Sequence, residues 1–213
     1  MTRWAFVSDI HGNLNALEQA ERIAGGRGVD RFICLGDVIG RGDPAGCVEW
    51  VRATTDHAII GNRDLDYIDR IEPKLQSVVR SWANEVRAAE FIASHGEPRL
   101  HRVLSSAAER DGFQRARKYM LERGARVWFF GHTHRSRAWE LSENGARALV
   151  AKHVHFDGDL LYVVNVGTTG LRLPGRGPAA FVLYDDKADS VEHVMLGPTV
   201  KMGRQAPRSA VRV

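Results

Sequence analysis

Short apolar runs that each end in a polar or charged residue recur along this chain, and they constrain its fold more than any other feature. In the first part of the sequence a helical pattern separates two such runs, RWAFVSD and RFICLGD. Between them, NLNALEQAERIAGG carries Leu14, Leu17, Ala20 and Ile23 at helical spacing and stops at a Gly-Gly pair. A helix that joins two strands in this way makes the strands parallel, so the pattern predicts an α/β fold.

The remaining elements are predicted from the same signals. Further strands are expected at HAIIGN, RVWFFGH, LLYVVNVG, AAFVLYDD and SVEHVML, with little helix among the last three. The first half is therefore predicted as βαβ and the second as a meander. A long amphipathic helix is expected from Pro73 to Gly96 and another over DGFQRARKYMLERG. Asp157-Gly158 predicts a hairpin turn, with His153 and His155 on its solvent-exposed edge.

Length and composition favour one domain without a membrane segment. The chain has 213 residues, of which 44% are hydrophobic, enough for one sizeable core. It shows no charged-then-apolar leader and no apolar run near the roughly 18 residues that span a bilayer, so we expect a cytoplasmic protein. Cys34 and Cys47 lack metal-site spacing and are predicted to be reduced thiols.

The positive charge is concentrated at the C-terminus. The net charge is +4, and the segment Gly197 to Val213 contains four basic residues and no acid. We therefore expect a folded domain over residues 1–196 and a loosely ordered basic tail over residues 197–213. The tail is interpreted as solvated, with a specific binding arm as the alternative. Since the rest of the chain is charge-balanced, no specific nucleic-acid site is evident.

Side chains able to bind metal follow four of the predicted strands. They are Asp9, His11, Asp37, Asn62, His132 and His134. Because the carboxyl ends of parallel strands meet in one crevice, these side chains are expected to converge. Each motif alone is more typical of a turn or a helix cap, whereas their combined order indicates a metal site. The mixture of carboxylate, amide and imidazole groups suits Mn, Fe, Co or Zn ions.

The motifs SDIHGN, GDVIGRG, GNRD and GHTH together resemble those of the calcineurin-like metallophosphoesterases over about residues 3–196, and the chain is most similar to their small prokaryotic branch. The late NVGTTGLRLPG also resembles a loop of that branch. The resemblance implies an α/β fold in the form of a four-layer α/β/β/α sandwich, with two mixed β-sheets flanked by helices. It also implies two divalent metal ions, Mn by preference and Fe, Zn, Co or Ni as alternatives. Carried over by motif, Asp9, His11 and His134 bind one metal, Asn62 and His132 bind the other, and Asp37 bridges them.

The function implied by this resemblance is metal-dependent hydrolysis of a phosphomonoester or a phosphodiester. Two cations can hold a hydroxide between them and polarise the phosphoryl oxygens that face it. The partner is then a phosphate-ester substrate of unspecified identity, without membrane involvement and with oligomerisation left open. The alternative is a scaffold or binding protein that retains the fold but has lost turnover.

Arg63 departs from the family pattern, which usually has histidine at that position. Arginine does not release a proton at working pH, but its planar fork can hold a phosphate oxygen. Arg41 aligns with an arginine that contacts phosphate in related phosphatases. We therefore assign Arg41, Arg63 and Asp64 to the catalytic set, with a surface pairing of Arg63 to Asp64 or Asp66 as the alternative.

His95 is a second departure, because the family supplies a further histidine at the end of a strand. His95 in SHGEP follows what is predicted to be a continuous helix, where Gly96 would form the cap. RLHRVLSS is the better strand candidate, and it ends in Ser105 and Ser106. His95 is thus either a seventh metal ligand or part of a helix end.

Overall fold

The apolar runs form two six-stranded β-sheets in the computed structural model, which describes residues 1–89, 91–96, 110–158, 160–171, 175 and 177–197. The strands are β1 (Arg3–Val7), β2 (Arg31–Cys34), β3 (His57–Ala58), β4 (Glu85–Arg87), β5 (Phe91–Ser94), β6 (Val127–Phe130), β7 (Arg137–Ser142), β8 (Gly145–Leu149), β9 (His153–His155), β10 (Leu161–Asn165), β11 (Ala180–Asp185) and β12 (Ser190–Met195). One sheet has the order β3-β2-β1-β11-β12-β9 and the other β4-β5-β6-β10-β7-β8.

Helices cover the outer faces of both sheets. They are α1 (Leu14–Gly25), α2 (Pro44–Thr54), α3 (Asn62–Asp66), α4 (Pro73–Arg80) and α5 (Arg110–Leu121), with a 3₁₀ helix at Ile68–Arg70. One apolar cluster joins α1, α2 and α4 to the first sheet, and another joins α5 to the second. The predicted α/β/β/α sandwich of two mixed sheets is therefore confirmed.

The two sheets pack against each other through aromatic side chains. Phe6 of β1 stacks on Phe129 of β6, with ring centroids 4.0 Å apart. Phe91 of β5 meets both rings edge-on, at 5.5 Å and 5.6 Å. Offset stacks and edge-on contacts are the arrangements that aromatic quadrupoles favour. This core holds β1 and β6 in a fixed relation, and both strands lead into the candidate site.

The parallel strands of the first sheet follow the predicted βαβ order. β1 pairs in parallel with β2, and β2 pairs in parallel with β3. The intervening helices begin at caps that are visible in the sequence: the side chain of Asn13 accepts a hydrogen bond from the Ala16 amide, and that of Asp43 accepts one from the Gly46 amide. The three strands therefore end along one edge of the sheet.

The long helix predicted from Pro73 to Gly96 is wrong. Helix α4 begins at Pro73 as expected but ends at Arg80, and the chain then forms β4 and β5. All four residues of β5 are buried, and this strand lies in parallel beside β6. Burial on both faces of a sheet outweighs the local helix preference of an alanine-containing segment.

The meander predicted for the second half is also wrong. β10 pairs in parallel with β6 and antiparallel with β7, while β9 pairs with β12 in the other sheet. The segment Asp157-Gly158 does turn, with the Leu160 amide donating to the Asp157 carbonyl at 3.2 Å, but it connects two sheets and forms no hairpin. Turn chemistry is local, whereas the choice of partner strand depends on the whole core.

Two further expectations concern the ends of the molecule. No helix in the described ranges combines the length and the apolar character that crossing a membrane requires. The basic tail lies outside the described residues from residue 198 onward, as do Ser105 and Ser106.

Candidate metal centre

The loops that follow β1, β2 and β6 hold candidate ligands in an unusual backbone conformation. Positive φ angles occur at Asp9 (54°), His11 (53°), Asp37 (54°), His132 (67°) and His134 (60°). The left-handed region is disfavoured for residues with a side chain, at a cost on the order of 1–3 kcal/mol each, and such residues gather at functional sites. The fold therefore maintains local strain at the positions that the sequence singled out.

One group of side chains lies where β1, β2 and β6 end. The ligand-capable atoms of Asp9, His11, Asp37 and His134 lie within 4.8 Å of one another. His134 Nε2 is 3.0 Å from Asp9 Oδ1 and 3.3 Å from His11 Nε2. His11 Nε2 also lies 3.9 Å from Asp37 Oδ2. These distances place two carboxylates and two imidazoles around one small volume.

A second group adjoins the first and shares Asp37 with it. His132 Nδ1 is 2.9 Å from Asn62 Oδ1. His95 Nε2 is 3.2 Å from Asn62 Oδ1, 3.3 Å from His132 Nδ1 and 3.5 Å from Asp37 Oδ1. Asp37 therefore presents Oδ2 to the first group and Oδ1 to the second, as a bridging carboxylate would.

The position of His95 corrects the expectation of a helix end. The residue directly follows β5 and is buried. His95 Nδ1 lies 2.8 Å from the Leu35 carbonyl oxygen. It can donate a hydrogen bond to that oxygen in the tautomer that carries the proton on Nδ1. That tautomer leaves the lone pair of Nε2 directed at Asp37, Asn62 and His132.

The electrostatics of the groups fit a bound cation. Asp9 is buried, and its Oδ1 has no hydrogen-bond partner with acceptable geometry in the described part of the chain. Burial, reinforced by the nearby charges of Asp9 and Asp64, raises the pKa of Asp37 to about 7. Burial also lowers the pKa of His11 to about 4, so this imidazole is neutral near pH 7. Buried carboxylates beside neutral imidazoles form a donor set that a divalent ion stabilises.

Asp9 differs from Asp37 in the direction of its pKa shift. Burial alone would raise the pKa of Asp9, but interactions with His134, whose Nε2 lies 3.0 Å from Oδ1, and with His95 outweigh it. Ser8 Oγ also donates to Asp9 Oδ2, at 2.7 Å. The pKa of Asp9 is consequently held at about 2, so this carboxylate is ionised and ready to bind a cation.

Asp64 lies beneath the centre and is not among the residues that line its cavity. Its carboxylate accepts four backbone hydrogen bonds: from the amides of Gly61 and Asp37 at 2.9 Å each, of Val38 at 2.7 Å and of Ile39 at 2.9 Å. Burial raises the pKa of Asp64, and these hydrogen bonds oppose the rise. Asp64 thus ties the Asp37 loop to the Asn62 loop, which is a positioning role and differs from the predicted catalytic one.

The late loop identified in the sequence supports Asp9 from another side. Thr168 Oγ1 donates to the Asp9 carbonyl at 2.8 Å, and the Thr169 amide donates to the Ser8 carbonyl at 2.7 Å. Thr168 and Thr169 are fully buried. Sequence reasoning noted this loop only by resemblance, and it did not identify the two threonines.

A cavity of about 450 Å³ opens above both groups, and basic side chains line one part of it. Arg41 and Arg63, which were assigned to the catalytic set, line the cavity together with three residues that sequence reasoning missed, Tyr67, Arg70 and Leu171. Arg63 also forms the alternative surface pair, with Nη1 3.2 Å from an Asp66 oxygen and a side chain that is 48% exposed. The only local signal for Tyr67 and Arg70 is their position shortly after GNRD.

Comparison with known proteins agrees with this arrangement. The family model described as "Calcineurin-like phosphoesterase superfamily domain" matches residues 3–189. An uncharacterized protein from Methanocaldococcus jannaschii is 26% identical over 226 residues, covering 92% of this chain and 88% of its own length. A metallophosphoesterase from Sphaerobacter thermophilus has a similar structure, with a TM-score of 0.73 at 24% identity and coverage of 92% of this chain and 88% of its own. A structure titled as a novel archaeal phosphodiesterase gives a TM-score of 0.57 at 17% identity, with 91% and 99% coverage, so both structures bear on the fold alone. Since the family model spans most of the chain, the protein belongs to the calcineurin-like phosphoesterase superfamily.

Proposed function

We propose that this protein hydrolyses a phosphomonoester or a phosphodiester with the aid of two divalent metal ions, of which Mn²⁺ is the preferred candidate. Asp9, His11 and His134 would hold one ion, Asn62, His132 and His95 the other, and Asp37 would bridge them. The observation that carries this proposal is the placement of the two Asp37 oxygens, one facing each group. When bound, such ions supply an activated water and neutralise charge that develops on the phosphoryl oxygens.

The protein's own contribution is to position the ligands and the substrate. Asp64 and the buried threonines hold the ligand loops, so the geometry does not depend on the ions alone. Arg41 faces the cavity and makes no ion pair with a carboxylate of the described chain, so its guanidinium is available for a phosphate oxygen. Arg63 can add a second guanidinium if it exchanges Asp66 for substrate, since exposed pairs of this kind are worth only about 0–1 kcal/mol.

The direct test combines metal analysis with a hydrolysis assay. Wild-type protein loaded with Mn²⁺ should bind two ions per chain and cleave p-nitrophenyl phosphate or bis(p-nitrophenyl) phosphate. Asp37→Asn should lose activity and at least one ion, because the remaining cations would face each other without the bridging charge. Asp69→Asn is the matched control, since Asp69 is exposed and does not line the cavity.

The competing function is that of a binding or scaffold protein that retains the fold. The ion pair between Arg63 and Asp66 favours it, because that pair already engages one of the arginines that line the cavity. Two bound ions without hydrolysis of either ester would support the scaffold and contradict the enzyme. Full activity of Asp37→Asn with two ions bound would contradict the bridging assignment.

A further inference from the structure

The cavity above the metal centre extends beyond the space that one phosphate needs. Its volume is about 450 Å³, and Tyr67, Arg70 and Leu171 line it without belonging to either ligand group. Pockets of about 300–1,000 Å³ accommodate small organic ligands rather than a single inorganic ion. The residues that line the cavity therefore bear on the identity of the group that is esterified to the phosphate.

Basic side chains outnumber acidic ones around this cavity. Among the described residues, Asp37 is the only carboxylate that lines it, and Asp37 belongs to the metal centre. Arg63 is paired with Asp66, but across the described residues neither Arg41 nor Arg70 forms an ion pair. Two bound cations would neutralise the ligand carboxylates, so Arg41 and Arg70 would remain as uncompensated positive charge next to the substrate.

Arg70 is held in a defined orientation. Its guanidinium carbon lies 3.9 Å from the centroid of the Tyr67 ring, which is a stacked cation–π contact. The backbone is fixed as well, because the Arg70 amide donates to the Tyr67 carbonyl at 3.0 Å and the flanking residues Ile68 and Ile71 are buried. Stacking uses the face of the guanidinium and leaves the N–H groups in its plane free to bind an anion with two oxygens.

We propose that Arg70, oriented by Tyr67, binds a second anionic group of the substrate, so that the substrate is a phosphate ester whose esterified group carries its own carboxylate or phosphate. This inference rests on the proposed phosphoesterase function and deepens it. Leu171 supplies an apolar surface in the same cavity for the linking part of such a molecule. Arg70 is then a residue that determines specificity, distinct from Arg41 and Arg63, which we assign to the scissile phosphate.

The binding test uses phosphonates, which resemble the ester but are not hydrolysed. Calorimetry on the Mn²⁺-loaded protein would compare phenylphosphonates that carry a para-carboxylate, a para-phosphonate or a neutral para-carboxamide. The carboxamide has nearly the shape of the carboxylate, so their affinity ratio isolates the effect of charge. We expect the anionic ligands to bind about tenfold more tightly, the scale of one hydrogen-bonded charge pair that is partly exposed. The better of the two anionic ligands identifies the second group as carboxylate or phosphate.

The variants separate recognition from folding. Arg70→Gln should reduce the affinity ratio to about one, and Arg70→Lys, which keeps the charge but loses the planar fork, should give an intermediate ratio. Arg80→Gln is the matched control, because Arg80 is exposed in the last turn of α4 and does not line the cavity. An unchanged ratio in Arg70→Gln would overturn the proposal and leave Arg70 as a packing partner of Tyr67.

A parallel assay distinguishes failure of this inference from failure of the proposed function. The corresponding phenyl phosphates would be tested for hydrolysis with the same three para groups. Charge-selective binding that depends on Arg70, without hydrolysis, supports the second-anion site and contradicts the phosphoesterase. Hydrolysis and binding without charge preference contradict the second-anion site and leave the phosphoesterase intact. If none of the phosphonates binds, the proposal of a second-anion site at Arg70 is wrong.

Discussion

Replacing Asp64 by asparagine should destabilise the protein and weaken metal binding although Asp64 does not line the cavity. Asp64 Oδ2 accepts the amides of Asp37 and Gly61, and Oδ1 accepts those of Val38 and Ile39. An asparagine can satisfy one of these pairs with its carbonyl oxygen. Its NH₂ group must then face the other two N–H donors, which are buried and have lost their acceptor.

The magnitude follows from those two lost hydrogen bonds. A buried donor left without a partner costs about 1–3 kcal/mol, and neighbouring losses do not add fully. We therefore expect Asp64→Asn to lower the free energy of unfolding by about 2–4 kcal/mol. In either orientation of the asparagine, the amide of Asp37 or those of Val38 and Ile39 lose their acceptor. The bridging carboxylate on this loop should therefore also shift, and fewer than two Mn²⁺ ions should bind per chain.

Urea unfolding of the metal-free protein measures the first effect, and metal analysis of the folded protein measures the second. The control is Asp69→Asn, an exposed change that should alter stability by no more than about 0.5 kcal/mol. If Asp64→Asn matched the control in both stability and metal content, the four hydrogen bonds would not organise the centre, and the reasoning would be refuted.

Three other changes test the second ligand group, the role of Arg63 and a buried histidine outside the site. His95→Ala should leave about one Mn²⁺ per chain, because the second group loses an imidazole while the first is untouched; two ions measured by elemental analysis would remove His95 from the ligand set. Arg63→Ala should raise KM for aryl phosphates, whereas Arg63→His should flatten the dependence of kcat/KM on leaving-group pKa by restoring a proton donor. If wild type and both variants gave equal slopes and KM values across substituted phenyl and alkyl phosphates, Arg63 would take no part in the reaction. Burial lowers the pKa of His193, so its neutral form is favoured in the folded state. The stabilisation of the folded state by neutral His193 is present above the unfolded-state pKa of about 6.5 and is lost as pH falls towards the lower folded-state pKa. The free energy of unfolding should therefore fall more steeply between about pH 7 and pH 5 in wild type than in His193→Gln. Parallel curves for the two proteins would contradict the assignment.

The sequence by itself determined the features that depend on short segments. Asn13 and Asp43 sit where helix caps belong, and the structure uses both as caps. The polar residues after β1 and β2 had to lie at one edge, because parallel strands joined by a helix end on the same side of a sheet. β6 belongs to the other sheet, so the histidines after it reach Asp9, His11 and Asp37 through the packing of the two sheets.

Tertiary structure decided what local patterns left ambiguous. The segment that contains β5 has a composition compatible with a helix, and it becomes a strand because it pairs with β6 while the opposite sheet and α5 bury its two faces. That outcome alone carries His95 into the centre. Turn chemistry at Asp157-Gly158 likewise did not reveal that the chain passes from one sheet to the other.

The same reason explains why the functions assigned to Asp64 and Arg70 emerged only from the fold. A carboxylate that holds two loops together has no local signature, since its partners Val38 and Ile39 are distant in the chain. Arg70 becomes a candidate for substrate recognition because the 3₁₀ helix directs it into the cavity, where Tyr67 stacks on its face. Sequence spacing determines which residues lie together along an element, whereas contacts between elements depend on which packing buries the most apolar surface and satisfies the most backbone groups.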